Sequence, residues 1–263
     1  MRACVFGAGL VAVAALVATP AAAIKKVAYP EIKVEVAAVY KPDPAFEAMH
    51  KAFADAAAKK DAAAMFTLVG PTFLWTAQNE PTIEFDLGRN ALHNFKVVFG
   101  FRELGKDVDG PVENGPYWEA LQAFAADGTF YAANDSGNLV CGPIGASVVD
   151  EQAFEQARKA IAGPDDEADW YFTLAETSVA KAPGDTGPPI AKVGTVALPV
   201  LSVYPEASAD KPSTAPTHLE VLLPSGKSGW IPAASARALV SERLCFAKTP
   251  DGSWKIAAYD QAE

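Results

Sequence analysis

The hydrophobic pattern of this chain changes character at Gly163-Pro164, and that change most limits the folds open to it. Before it, apolar residues recur three and four apart, as on the buried stripe of a helix. Asp43 reads as an N-cap with Pro44 at the first helical position, followed by Phe46, Met49 and Phe53. Lys60-Asp61 punctuates that helix, and a second through Met65, Phe66 and Val69 stops at Gly70-Pro71. Leu92, Phe95 and Phe99 keep helical spacing, as do Trp118, Leu121, Phe124 and Ala125 before Asp127-Gly128. Asp150 caps a last helix with the face Phe154, Ala157 and Ile161. Around these, residues 24–40 alternate weakly through Val34, Val36 and Val39 as an extended lead-in or edge strand, and 72–76 is a short β-prone run.

After Gly163-Pro164 the helical signals cease. Short β-prone runs at 170–174, 177–180, 196–203, 218–223, 229–231, 243–247 and 254–258 are separated by Pro and Gly, which predicts a small antiparallel barrel. The last two flank Thr249-Pro250-Asp251-Gly252-Ser253, a hairpin turn. The expected fold class is α+β: a mostly helical domain over 24–165, then a small β-barrel with a C-terminal hairpin over 166–263. The expected boundary lies among Asp165, Asp166 and Glu167.

Residues 1–23 carry the three parts of a secretory signal in order: Arg2, an apolar run from Val5 to Val17, and Ala21-Ala22-Ala23 after Pro20. The apolar run is shorter than the ~20 residues a spanning helix needs. Cleavage leaves 240 residues, enough for one large or two modest domains, in a periplasmic or secreted location with no membrane insertion. The formal net charge of −10 becomes one unit more negative when Arg2 leaves. Such a surface repels phosphate backbones and anionic headgroups, which argues against nucleic acid as a partner. Cleavage also removes Cys4, leaving Cys141 and Cys245. In an oxidising compartment that even pair is most simply a disulfide, with two separate buried thiols as the alternative.

Two stretches of the C-terminal third carry a family likeness. TSVAKAPGDTGPPIAKVG (177–194) runs a β-strand into a Pro/Gly turn and returns through Ile190 and Val193. LEVLLPSGKSGWIPAASARAL (219–239) has an alternating strand, a turn centred on Gly226, and Gly229-Trp230-Ile231. Together they resemble bacterial SH3-like domains, over residues 170–240, of exported bacterial proteins without a known activity. The segment departs from that pattern at Ser178-Val179-Ala180-Lys181 and in the long stretch 205–216. The resemblance implies a module that binds a peptide, cell-wall fragment or envelope protein, or one that serves structurally. Tyr171, Tyr204 and Trp230 are the candidate aromatic wall of a groove, Trp230 being also a candidate barrel core residue.

Catalytic patterns are sparse. Ser225-Gly226-Lys227-Ser228 is not a phosphate loop, because Val221 stands where its first glycine belongs and no helix follows the lysine. His50, His93 and His218 have no second ligand at zinc spacing, so no metal or other cofactor is expected. Glu80, Glu84, Asp86, Asp107, Asp109 and Glu113 read as solvated acids, no pair being set apart for acid–base work. The alternative to a binding protein is an enzyme. It would be a thiol hydrolase around Cys141 with Gly137, Gly142 and Gly145 nearby, or a small-molecule enzyme with a pocket lined by Trp75, Phe95 and Trp118.

Overall fold

The computed structural model describes residues 24–76, 90–102, 111, 115–161, 169–205 and 215–260. The signal segment, the expected boundary at 165–167 and the six loop carboxylates named above lie outside them. In chain order the elements are β1 (Ile32–Val36), α1 (Pro44–Lys59), α2 (Ala62–Thr67), β2 (Val69–Thr76), α3 (Ala91–Val98) and α4 (Trp118–Ala126). Then come β3 (Tyr131–Ala132), β4 (Leu139–Gly142), β5 (Ala146–Val148), α5 (Glu151–Ile161), β6 (Trp170–Thr173), β7 (Thr177–Val179) and β8 (Ala191–Val193). The chain continues through β9 (Val196–Tyr204), β10 (His218–Leu222), β11 (Ser228–Pro232), a 3₁₀ turn (Ala233–Ser235), β12 (Ala236–Ala238), β13 (Arg243–Lys248) and β14 (Trp254–Asp260).

The local helix signals act where their chemistry places them. Asp43 Oδ1 accepts from the Phe46 N–H at 2.7 Å, with Pro44 following the cap. Lys60 ends α1 in the left-handed region at φ 53°, and Asp61 caps α2. Asp150 Oδ1 accepts from the Ala153 N–H at the start of α5. Phe46, Met49 and Phe53 are all buried, as their spacing requires.

These helices do not make a helical domain. Strands dominate the described residues, and the expected mostly helical domain over 24–165 is overturned by β1 to β5 lying inside that stretch. The small SH3-like barrel expected over 166–263 is not evident either. Instead β9 pairs with β1, and β1 with β5, within a seven-stranded sheet ordered β11-β10-β9-β1-β5, with β6 beside β9 and β12 beside β6. Strand β1 is therefore interior rather than an edge. The C-terminal hairpin joins a second sheet, β2-β14-β13-β4-β3, in which β14 runs parallel to β2 and the other neighbours are antiparallel. The hairpin β7-β8 forms a third, small sheet.

The physical reason is that α1 to α4 are short, each apolar along one stripe, and cannot bury those stripes on one another alone. They close instead over the five-stranded sheet. Phe46, Phe53, Met65, Phe73, Phe95 and Leu121 share one core with Phe246 and Ile256 of the hairpin. Burying each such side chain contributes roughly 1.5–3 kcal/mol. A second core packs α5 through Ala157 and Ile161 on Ile32, Trp170 and Phe172. A third lies between β7 and the β9-β10-β11 strands, through Val179, Leu198, Leu219, Val221 and Ile231.

The cysteines meet as expected. Cys141 of β4 stands directly opposite Cys245 of β13, both buried, and the two form a disulfide across 104 residues of sequence. Closing a loop of that length is worth about 4–5 kcal/mol in the chain-entropy picture. Among the described residues no helix is long and apolar enough to cross a membrane.

Candidate functional site

The alternation of β9, β10 and β11 sorts their side chains onto two faces. Leu219, Val221 and Ile231 point into the core, so His218, Glu220, Trp230, Ser202 and Tyr204 fall on the outer face. Register places Glu220 between Ser202 on one side and Trp230 on the other, and His218 opposite Tyr204. The Tyr204 and Trp230 rings meet edge to face with centroids 6.4 Å apart. Tyr204 is 49% exposed, and Trp230 is half-buried. The Trp230 backbone is held on one side by paired bonds with Ala180 of 2.8 and 2.9 Å, and on the other it lies in register with Glu220 of β10. Its ring thus stands on a fixed main chain.

Beside the rings lies a polar cluster. Glu220 Oε2 accepts from the Ser202 hydroxyl at 3.0 Å, Glu220 Oε1 lies 3.4 Å from Lys26 Nζ, and Lys26 Nζ donates to the Ser228 hydroxyl at 3.0 Å. Burial of Glu220, whose side chain is 22% exposed, would by itself raise its pKa. Hydrogen bonds from Ser228 and Ser202 and the Lys26 charge outweigh that, holding the carboxyl below its usual range. Glu220 is an anion here, an acceptor with fixed direction rather than a proton donor.

Two of the three expected wall residues are brought together and one is not. Tyr171 lies on β6, facing Leu198 and Ala238 in register, and packs against the core of the β9-β10-β11 strands. Among the described residues no ring contact joins it to Tyr204 or Trp230. Lys26, Ser202, Glu220 and Ser228 escaped the sequence reading. For Glu220 a signal existed, since its alternation with Leu219 and Val221 gives it the same face parity as His218.

No protein-family model matches the chain, and neither a curated protein nor a solved structure matches it. The site therefore stands on its own geometry.

The thiol-hydrolase reading loses its nucleophile. With Cys141 and Cys245 bridged, neither supplies a thiolate. Phe95 is fully buried, and Trp75 and Trp118, each partly buried, pack against the same core. His50 stacks on Phe46 and touches Phe130 and Phe246. Its burial lowers its pKa against the opposing influence of the Phe124 carbonyl and Asp127, leaving a neutral ring inside an aromatic cluster. Among the described residues no group of three His, Cys, Asp or Glu gathers to hold a metal.

Proposed function

We propose that this is a non-catalytic exported protein of the periplasm that binds a cell-wall glycan fragment on the outer face of β9, β10 and β11. The observation that carries this reading is the Tyr204–Trp230 pair beside the Glu220–Ser202–Ser228–Lys26 cluster. A sugar ring offers an apolar C–H face and a rim of hydroxyls. Aromatic rings accept the first, and a fixed carboxylate, serines and an ammonium accept or donate to the second. The disulfide is compatible with an oxidising, exported location. The acidic surface disfavours nucleic acid as a partner.

The test is co-sedimentation of the mature chain with purified cell-wall sacculi, together with titration of a soluble muropeptide. Trp230→Ala should weaken binding about thirtyfold (~2 kcal/mol), as loss of a central aromatic anchor does, with an unchanged circular dichroism spectrum. Absence of retention on sacculi, or retention indifferent to Trp230→Ala and Tyr204→Ala, would sink the reading. Capture of a peptide instead of glycan would reassign the face to a different ligand class.

A further inference from the structure

Away from that face, a cleft of about 440 Å³ opens where the two large sheets approach each other. Its walls include Glu35 and Ser147 from the β1-β5 pair, Tyr131 of β3, Gly145 and Arg243 at the start of β13. The volume falls within the roughly 300–1,000 Å³ of small-molecule sites. The Arg243 side chain is only 26% exposed. Its guanidinium carbon lies 5.9 Å from the Tyr131 ring centroid. Its other flank rests on Gly145, where an added Cβ would stand 2.9 Å from Nη2. A glycine there lets a planar cation lie against main chain.

Arg243 pairs with one protein anion, at ion-pair rather than hydrogen-bonding distance. Asp260 Oδ2 is 3.6 Å from Nη1, an ion-pair distance, and the buried Nε has no hydrogen-bond partner among the described residues. A planar carboxylate suits a guanidinium fork, two bonds at a time. Glu35 brings a negative charge to the same cleft, and Ser147, its register partner across β1 and β5, brings a hydroxyl. One fixed cation, with Asp260 paired to it and Glu35 in the wall, disfavours dianions. The cleft suits a ligand bearing both charges.

We propose that this cleft binds a small zwitterion of the amino-acid or dipeptide class, its carboxylate on Arg243 and its ammonium toward Glu35. Tyr131 stacks on the arginine and keeps the guanidinium plane in position. The site is separate from the glycan face and independent of that reading.

The test is isothermal titration of the mature, disulfide-bonded chain with alanylalanine, alongside its N-acetyl and C-terminal amide derivatives. The free dipeptide should bind, and each capped form should bind about tenfold more weakly or worse, since each loses one charge-assisted contact. Arg243→Gln should remove the binding. Gly145→Ala should weaken it with the arginine still present, because a methyl 2.9 Å from Nη2 makes the guanidinium shift from its seat; unchanged circular dichroism excludes unfolding as the cause. Absence of heat with alanylalanine, equal binding of the capped forms, or binding unaffected by both substitutions would overturn the proposal.

Discussion

Asp43 concentrates three contacts on one carboxylate. Oδ1 caps α1 at the Phe46 N–H, Oδ2 accepts from Lys248 Nζ at 2.7 Å, and Trp254 Nε1 donates to Oδ1 at 3.2 Å. The Lys248 bond, then the cap, lower its pKa below the ordinary carboxylate range. The cap supplies most of the stabilisation, because exposed ion pairs contribute little. Asp43→Ala should cost about 1 kcal/mol at neutral pH, and Asp43→Asn less because the amide oxygen still caps. A carboxyl with a depressed folded pKa stabilises above its unfolded value and loses that stabilisation as pH falls through the folded value. The wild-type advantage should therefore be full at pH 7 and shrink below about pH 4. Urea unfolding of the wild type and Asp43→Ala at both pH values measures this; an advantage that grows in acid would refute the assignment. The cap was legible in Asp43-Pro44. The ties to Lys248 and Trp254 were not, since no local pattern reaches across 205 and 211 residues.

Elements repeat that contrast between local and distant information. The stripes of α1, α4 and α5 could be read because i, i+3 and i+4 neighbours belong to one short segment. The β13-β14 hairpin could be read because its turn lies between its strands. Strand β4 could not, since glycine-rich 136–145 has the composition of a loop and becomes β structure only when β13 supplies a partner; β3 and β5, two and three residues long, likewise depend on β4 and on distant β1. Tyr204 and Trp230 were both candidates in the sequence, but their meeting was not legible there, for a related reason. Parity fixes which face a side chain takes, whereas bringing Tyr204 beside Trp230 requires both to flank β10. Close approach between elements also has a local signature at Gly229 of β11, which faces β7. An added Cβ would stand 2.5 Å from Val179 Cγ1, 2.8 Å from Ile190 Cδ1 and 3.0 Å from the Ala180 carbonyl oxygen. Gly229→Ala should thus lower stability by about 1–3 kcal/mol, the usual cost of overpacking. Gly128→Ala, with nothing within 4 Å of its Cβ, should leave the urea midpoint nearly unchanged. Equal effects from the two would show that β11 and β7 do not depend on the missing side chain.

For the whole molecule, the change of pattern at Gly163-Pro164 marks a change of local propensity while the sheets ignore it. Strands β1 and β5 from before it complete the sheet of β9, β10 and β11, and β13 and β14 from after it complete the sheet of β2, β3 and β4. The disulfide, the Arg237–Asp127 ion pair at 2.9 Å and the Lys26–Glu220 contact all cross the same point in sequence. Fragment 24–165 would lose β13 and β14 from the middle of one sheet, and fragment 166–263 would lose β1 and β5 from the end of the other and the strands on both flanks of its β13-β14 hairpin. Fragment 24–165 would also expose the side of its core that Phe246 and Ile256 cover. Neither should show a cooperative thermal transition alone, whereas the intact oxidised chain should. Mixed under oxidising conditions, the two should recover structure as a Cys141–Cys245 linked pair, seen as a combined band on a non-reducing gel with a restored melt. A cooperative melt from fragment 166–263 alone would show that its strands close on themselves without β1. Ligand binding should follow the same rule: the glycan face uses Lys26 with Glu220, and the zwitterion cleft uses Glu35 with Arg243, so each site draws residues from both sides of Gly163-Pro164. Only the rejoined pair, and neither fragment, should bind the probes.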